Sequence, residues 1–351
     1  MEDTHGKDEK GPAPLRIAII GAGIGGLTLA QLLKQNHSLS VTVYERGTRQ
    51  EAASSLTGFR ILLSREMLAT LRQRLPRDVV PFLENAVGTT PSKGQSIALL
   101  DQKGGVKLSL TPKEFREASS VSRWKLRTAL LHGLDGVVRW ETEFQGYEQR
   151  GQEVYVKLGD GSTAVYDLLV GADGAGSKVR KQLLPDAKRD SLGITVLYFK
   201  MPLTPETELM MPFGTGCMPS KVMAPRSSMV VSYFKDRTTP YTPFDLKSID
   251  PDHSYLMCGL GCPTEDYLEH GASPQDMSPA KLKEFWLART KRWHPLFRSL
   301  IAITVPETVY VANLKTQRTL KPWSSDNIVL LGDAAHRSVL CQRKESFSDS
   351  A

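Results

Sequence analysis

The run RIAIIGAGIGGLTLAQLLKQ, Arg16–Gln35, decides how the rest of the chain is read. RIAII is an apolar stretch of strand length, GAGIGG is a glycine turn, and LTLAQLLKQ places apolar residues on most faces of a helix. A second strand-like run, VTVYE, Val41–Glu45, follows directly. Strand, turn, helix and strand within about thirty residues make a βαβ unit, because two parallel strands need a long crossover between them. The chain is therefore expected to hold a parallel sheet of the α/β class.

Gly21, Gly23 and Gly26 have the G-x-G-x-x-G spacing, immediately after a strand and at the mouth of a helix. In a dinucleotide fingerprint the first glycine permits a tight turn, the second lets backbone approach a pyrophosphate, and the third lets helix and strand pack closely. Backbone N–H groups at the helix start then face the phosphate charge. Glu45 ends the second strand, 19 residues after Gly26, where an acid can accept from both hydroxyls of an adenosine ribose. An acid at that place disfavours a 2′-phosphate. The same turn could also pack a βαβ unit with no ligand, and NAD and FAD share the fingerprint.

Two later junctions repeat the strand-to-turn pattern: DLLVGADGAGSKVRKQLL, Asp167–Leu184, and NIVLLGDAAH, Asn327–His336. Asp173-Gly174 and Gly332-Asp333 thus follow apolar strands, and ligands of open α/β sheets lie beyond the carboxyl ends of the strands. A carboxylate there suits the hydroxyls of an extended chain such as ribityl. Either aspartate alone would equally serve as a turn or N-cap residue.

Between these landmarks, Phe59–Leu75 reads as a strand-like start and a helix. SIALLDQKGGVKLSL reads as a hairpin about its Lys-Gly-Gly centre, and Arg123–Leu134 as a helix stopped by Gly136. Val137–Val165 is β-like, with a turn at GDGS. Residues 190 to 320 change character: GITVLYFKM and SMVVSYF are strand-like and AKLKEFWLARTKRW is helical, which suggests a separate sheet layer with one helix pair.

Composition sets outer bounds. At a prior of about 150 residues per domain, 351 residues suggest two domains. Apolar residues make up 40% and charged residues 24%, as in globular proteins. The formal charge of +7 is spread too thinly for a nucleic-acid footprint, and the pairs Arg180-Lys181 and Lys291-Arg292 read as solvated helix faces. Four cysteines are too few for a disulfide scaffold, and Cys258-x-x-x-Cys262 has no second pair to complete a zinc site. No metal site is expected. The longest uncharged run, Ile17–Leu33, has four glycines and is short for a membrane span. GxSxG, HExxH and Walker A motifs are missing, and His253, His294 and His336 are scattered singletons.

GAGIGG with Glu45, GADGAGSKVR and LLGDAAH, in this order, resemble the FAD-dependent monooxygenases of the para-hydroxybenzoate hydroxylase type. The resemblance covers residues from about 15 to 336. GFRILLSREMLATLR, SRWKLRTALL and WHP are similar to a microbial and fungal subgroup acting on aromatic and polyketide-like compounds. It implies an FAD-binding Rossmann-like domain from residues 15–90, 112–188 and 321–336, and an inserted β-sheet substrate domain from 91–111 and 189–320. By the same resemblance Gly21, Gly23, Gly26 and Glu45 bind the ADP half of FAD, and Asp173, Gly174, Gly332 and Asp333 belong to the Asp-Gly and Gly-Asp motifs. Gly58 and Arg60 line the flavin region, and Arg123 reaches the FAD phosphates, although both arginines could instead form surface ion pairs.

The implied reaction is hydroxylation or epoxidation of a hydrophobic, aromatic or polyketide-derived molecule in secondary metabolism, using FAD, NADPH or NADH, and O₂. The cofactor carries the chemistry, so no acid–base pair need appear and no catalytic side chain is singled out. Tyr198, Met210, Phe213, Met223, Tyr233 and Phe234 are candidates for the pocket. The expected location is cytoplasmic, with no transmembrane segment and no nucleic-acid partner. An FAD-dependent dehydrogenase or oxidase, or a silent nucleotide-binding remnant, are the alternatives. Residues 1–14 read as a disordered lead-in. Residues 337–351 are an atypical polar tail where the family has a glycine-rich loop and long helix, so truncation and weak flavin retention are expected.

Overall fold

The computed structural model describes residues 13–50, 58–89, 97–110, 117–211, 219–242, 253–269, 271–317, 320, 323, 325 and 327–336. The chain divides into two compact units, one drawn from residues 1–49, 131–187 and 319–337, the other from 50–130, 188–318 and 338–351. Phe213, Cys217, Cys341, the lead-in up to residue 12 and the tail lie outside the described residues.

The first unit is built on a five-stranded sheet in the order 328–330, 168–171, 15–20, 39–44, 138–139. Every neighbouring pair is parallel. Its central strand, Leu15–Ile20, is apolar on successive residues because both faces are covered: Ile17, Ala18, Ile19 and Ile20 are all buried. Ala18 and Ile20 enter one core with Phe144, Val154, Val156 and Leu158 of a three-stranded antiparallel sheet. Ile17 and Ile19 face the other side, and helix Ile24–Leu33 packs against the strands 15–20 and 39–44. At the amino end of the central strand, Arg16 binds Asp167 and Glu153 at 2.6 and 2.9 Å. In the interior the phenols of Tyr44 and Tyr166 meet at 2.8 Å.

The second unit centres on a seven-stranded sheet in the order 305–317, 189–202, 255–263, 227–234, 220–224, 97–101, 106–110. It is antiparallel except where 220–224 runs parallel to 97–101. The expected hairpin is its edge, and Asp101 Oδ1 accepts from the Lys103 and Gly105 amides of the turn at 2.9 and 2.8 Å. Helices Pro279–Arg289 and Pro295–Ala302 form the expected pair and cover one face, closing a core of Phe199, Trp286, Phe297 and Leu300. His294 begins the second helix, its Nδ1 accepting from the Leu296 amide at 3.2 Å. Strand Ile61–Leu63 leads into helix Arg65–Arg74, as expected for that stretch.

Two expectations need correction. Helix Arg123–Leu131 ends before Gly136, and Gly133, at φ 66°, is the first left-handed residue after it. Arg180 is no solvated helix residue, being only 2% exposed. Among the described residues no helix is long and apolar enough to cross a membrane.

Candidate functional site

Parallel strands emerge at one edge of the first unit's sheet. Ile20 is in register with Tyr44 and with Gly171, and Gly171 with Leu330, so four strands end level. At about 4.8 Å per strand, that edge spans about 14 Å. Backbone bonds extend the ladder one step into the loops: Gly21 N–H to Tyr44 O at 2.8 Å, Ala172 N–H to Ile20 O at 2.9 Å, and Leu331 N–H to Gly171 O at 2.9 Å. The glycine turn, Glu45, Asp173-Gly174 and Gly332-Asp333 are thereby brought to a common rim.

The glycine turn is tight where it should pack and open where it should bind. A Cβ on Gly26 would stand 2.1 Å from Gly21 O, and one on Gly21 2.6 Å from Ala172 O. Gly23 is different, because beyond its own chain neighbours and helix backbone no atom of the described residues lies within 4 Å of the place its Cβ would take. Gly23 is also the N-cap of helix Ile24–Leu33 and offers no side-chain acceptor to its first turn. The result is an open cradle facing helix amides, whose partial positive charge attracts an anion.

Glu45 reaches back to this turn. Its Oε2 accepts from the Ala22 amide at 2.9 Å and its Oε1 from the Gly47 amide at 3.0 Å. Asp173 divides its two oxygens: Oδ2 accepts from the Lys178 and Val179 amides at 2.7 and 3.3 Å, while Oδ1 is buried with no hydrogen-bond partner among the described residues. A buried carboxylate oxygen without a donor is costly, and a ligand hydroxyl would relieve that cost. Asp333 lies exposed in a 3₁₀ turn, Gly332–Ala334.

Arg180 joins the last two loops and was missed in the sequence. Its Nη1 donates to Ala334 O at 2.8 Å and its Nη2 to Ala175 O at 2.8 Å. The signal was its phase: Arg180 shares a helical face with Leu183 and Leu184, three and four residues on.

Gly58, Arg60 and Arg123 belong to the second unit. Arg123 is exposed at the first position of its helix. The Arg60 guanidinium is held by the Ser232 hydroxyl of the large sheet, with Nε at 2.9 Å. Of the pocket candidates, Tyr198 and Met223 stand on the sheet face away from the helix pair, whereas Tyr233 and Met210 pack on the core. Phe234 is fully buried against Tyr255.

A level row of parallel strand ends, an open glycine cradle and a buried carboxylate oxygen lacking a donor define a dinucleotide-cofactor fold. A family model described as the FAD binding domain matches residues 15–340, and the chain belongs to that family. Its cofactor is FAD, and the residues on the rim fit it.

The chain is 29% identical to a dual O-methyltransferase/FAD-dependent monooxygenase of Phaeosphaeria nodorum over 93% of its own length and 38% of that protein. It thus spans about two fifths of the first relatives it matches. It is 28% identical to 6-hydroxynicotinate 3-monooxygenase of Pseudomonas fluorescens, covering 92% of this chain and 76% of that one. Among solved structures, a protein of Photorhabdus luminescens assigned as a FAD-containing monooxygenase superposes with a TM-score of 0.75 at 27% identity, covering 93% of this chain and 83% of that one.

Proposed function

We propose that this chain is the flavin module of a monooxygenase that hydroxylates or epoxidises a hydrophobic, aromatic or polyketide-derived small molecule, with NADPH or NADH as reductant. The observation that carries the reading is the rim: four level strand ends with Glu45, Asp173 and Asp333 along it.

On this reading the Gly21-Gly23-Gly26 turn and the amides of helix Ile24–Leu33 hold the pyrophosphate. Glu45 receives the adenosine ribose while keeping the turn closed, and Asp173 Oδ1 with the Gly332-Asp333 turn receives the ribityl side. The family resemblance assigns Gly58 and Arg60 to the flavin and Arg123 to the phosphates. FAD supplies the redox and oxygen chemistry, while the protein binds, orients and excludes water. The large sheet takes the substrate. The unit of residues 1–49, 131–187 and 319–337 is the cofactor side, and the unit that carries the large sheet is the substrate side. The enzyme works in the cytoplasm, where NAD(P)H is supplied and thiols such as the buried Cys258 and Cys262 stay reduced.

Purified protein should be yellow and release FAD on heating. With NADPH and isotopically labelled O₂, a panel of aromatic and polyketide compounds should contain one whose product gains a single labelled oxygen. NADPH consumption with no labelled product would replace this reading with that of a dehydrogenase or oxidase. Colourless protein that takes up no added FAD would remove the reading altogether.

A further inference from the structure

Three segments of the second unit enclose a surface cavity of about 610 Å³, lined in part by Lys103, Ser227, Arg289, Lys291, Arg292 and Trp293. The turn of the edge hairpin supplies Lys103, the turn between strands 220–224 and 227–234 leads into Ser227, and the end of helix Pro279–Arg289 with the linker after it supplies the rest. The walls are tied to one another. The His294 amide donates to Gln102 O at 2.8 Å and Lys103 Nζ to Arg292 O at 3.0 Å, while Arg289 donates through Nε to Ser227 Oγ at 2.7 Å and through Nη2 to Arg226 O at 2.8 Å. Trp293 is buried and packs edge-on against Phe297. The volume falls in the range of roughly 300–1,000 Å³ common to small-molecule sites. Ser232, which holds Arg60, is further along strand 227–234 from Ser227 by about 17 Å of extended chain. The cavity is therefore separate from the part of the sheet that the family resemblance gives to the flavin.

The charge on these walls is unbalanced. Asp101 is matched by Lys107 at 2.8 Å, Glu265 by Arg226 at 2.7 Å, and Asp266 by Arg226 and Arg289 together. Arg226 keeps its guanidinium there from a left-handed backbone, φ 52°, where glycine would be cheaper. With those acids engaged, Lys103, Lys291 and Arg292 have no ion pair among the described residues, and Arg289 keeps the donors of Nη1. A cation at a helix end is ordinary, because it offsets the carbonyl charge there. Lys103 comes from a β-hairpin, so its convergence with the cations of the helix end has no such explanation.

We propose that this cavity binds a small molecule carrying a diphosphate, at a site of its own in the second unit. Lys103, Lys291 and Arg292 meet the phosphate charge, and the free edge of Arg289 donates to a phosphoryl oxygen. Lysine brings a point charge and arginine a planar fork, the two side chains suited to phosphate. The proposal does not depend on the oxygenation reaction, and flat NADPH consumption would leave it standing.

Calorimetric titration of the FAD-loaded protein with inorganic pyrophosphate, orthophosphate and ADP at constant ionic strength tests it. Pyrophosphate is expected to bind at least about tenfold tighter than orthophosphate, and Lys291→Gln with Arg292→Gln to weaken it at least about tenfold. Lys281→Gln with Arg298→Gln removes the same charge elsewhere on the helix pair and should leave binding within about twofold. All four side chains are exposed, so both double variants should keep the parent Tm. ADP that binds as tightly as pyrophosphate or tighter supports the site with a nucleotide as its source. ADP weaker by about tenfold supports it with free pyrophosphate as the source.

Absence of saturable pyrophosphate binding, or a loss of equal size in the two double variants, would overturn the proposal. So would binding that survives Lys291→Gln with Arg292→Gln and disappears in Gly23→Ala, since the ion would then sit on the glycine turn.

Discussion

Asp173→Asn separates cofactor binding from folding at one side chain. In the protein Oδ2 caps helix Lys178–Leu183 through two amides, and Oδ1 is buried without a donor among the described residues. The amide oxygen of asparagine can keep the cap, at a cost of about 0.3–1 kcal/mol for the lost charge beside a helix start. Its NH₂ group then occupies the place of Oδ1 and offers a donor where an acceptor is needed. Loss of one charge-assisted hydrogen bond is about 1.5–3 kcal/mol, so the FAD dissociation constant should rise about 10- to 100-fold. Flavin fluorescence quenching on reconstitution measures the affinity, and urea unfolding of the apoprotein measures the stability. FAD affinity within about twofold of the parent would refute the assignment of Oδ1 to the cofactor. A fall in apoprotein stability as large as the fall in affinity would refute the claim that the two oxygens have separate roles.

Gly26→Ala puts a Cβ 2.1 Å from Gly21 O and should destabilise the protein by about 3 kcal/mol or more, seen as a loss of soluble protein or of Tm. Gly23→Ala meets no atom of the described residues within 4 Å beyond its own neighbours and helix backbone, and should leave the apoprotein Tm nearly unchanged while weakening FAD at least about tenfold by filling the cradle. Arg180→Met removes the donors to Ala175 O and Ala334 O and should cost about 3–5 kcal/mol in chemical unfolding. Lys125 and Asp236 pair at 2.7 Å with side chains 11% and 2% exposed, so Asp236→Asn should cost about 3–5 kcal/mol in urea. Burial pushes the Asp236 carboxyl up, but bonds from Lys125 and Thr238 outweigh it and hold the carboxyl well below the usual range. Its contribution is therefore full above the unfolded value near about 3.9 and fades as pH falls through the folded value. The parent should lose stability with acid below about pH 4 more steeply than the asparagine variant does.

What was legible in the sequence was local. Strand 15–20, the glycine turn and helix 24–33 are contiguous, and the hairpin 97–110 is closed by its own Asp101. Strand order was not legible, because it depends on pairings such as Leu169 with Ile328 across more than a hundred residues of intervening chain. The burial of Arg180 escaped for the same reason: its acceptor Ala334 arrives from the far end of the sequence, and a basic pair looks solvated until that end is in place. Lys200 follows the same logic, standing in phase with the outward Tyr198 yet covered by Phe59 from early in the chain.

For the site, the sequence posed a choice between a cap and a ligand at Asp173, and the structure shows that a carboxylate need not choose. One oxygen caps the helix and the other is left buried without a donor among the described residues. Glu45 differs in kind, since each of its oxygens already holds a backbone amide. A carboxylate oxygen accepts more than one hydrogen bond, so a ribose would add to those contacts rather than replace them. Changes at Glu45 should therefore disturb turn and cofactor together, whereas changes at Asp173 can be made to disturb the cofactor alone. Asp173 is for that reason the more discriminating probe of the two, although Glu45 was the plainer signal in the sequence.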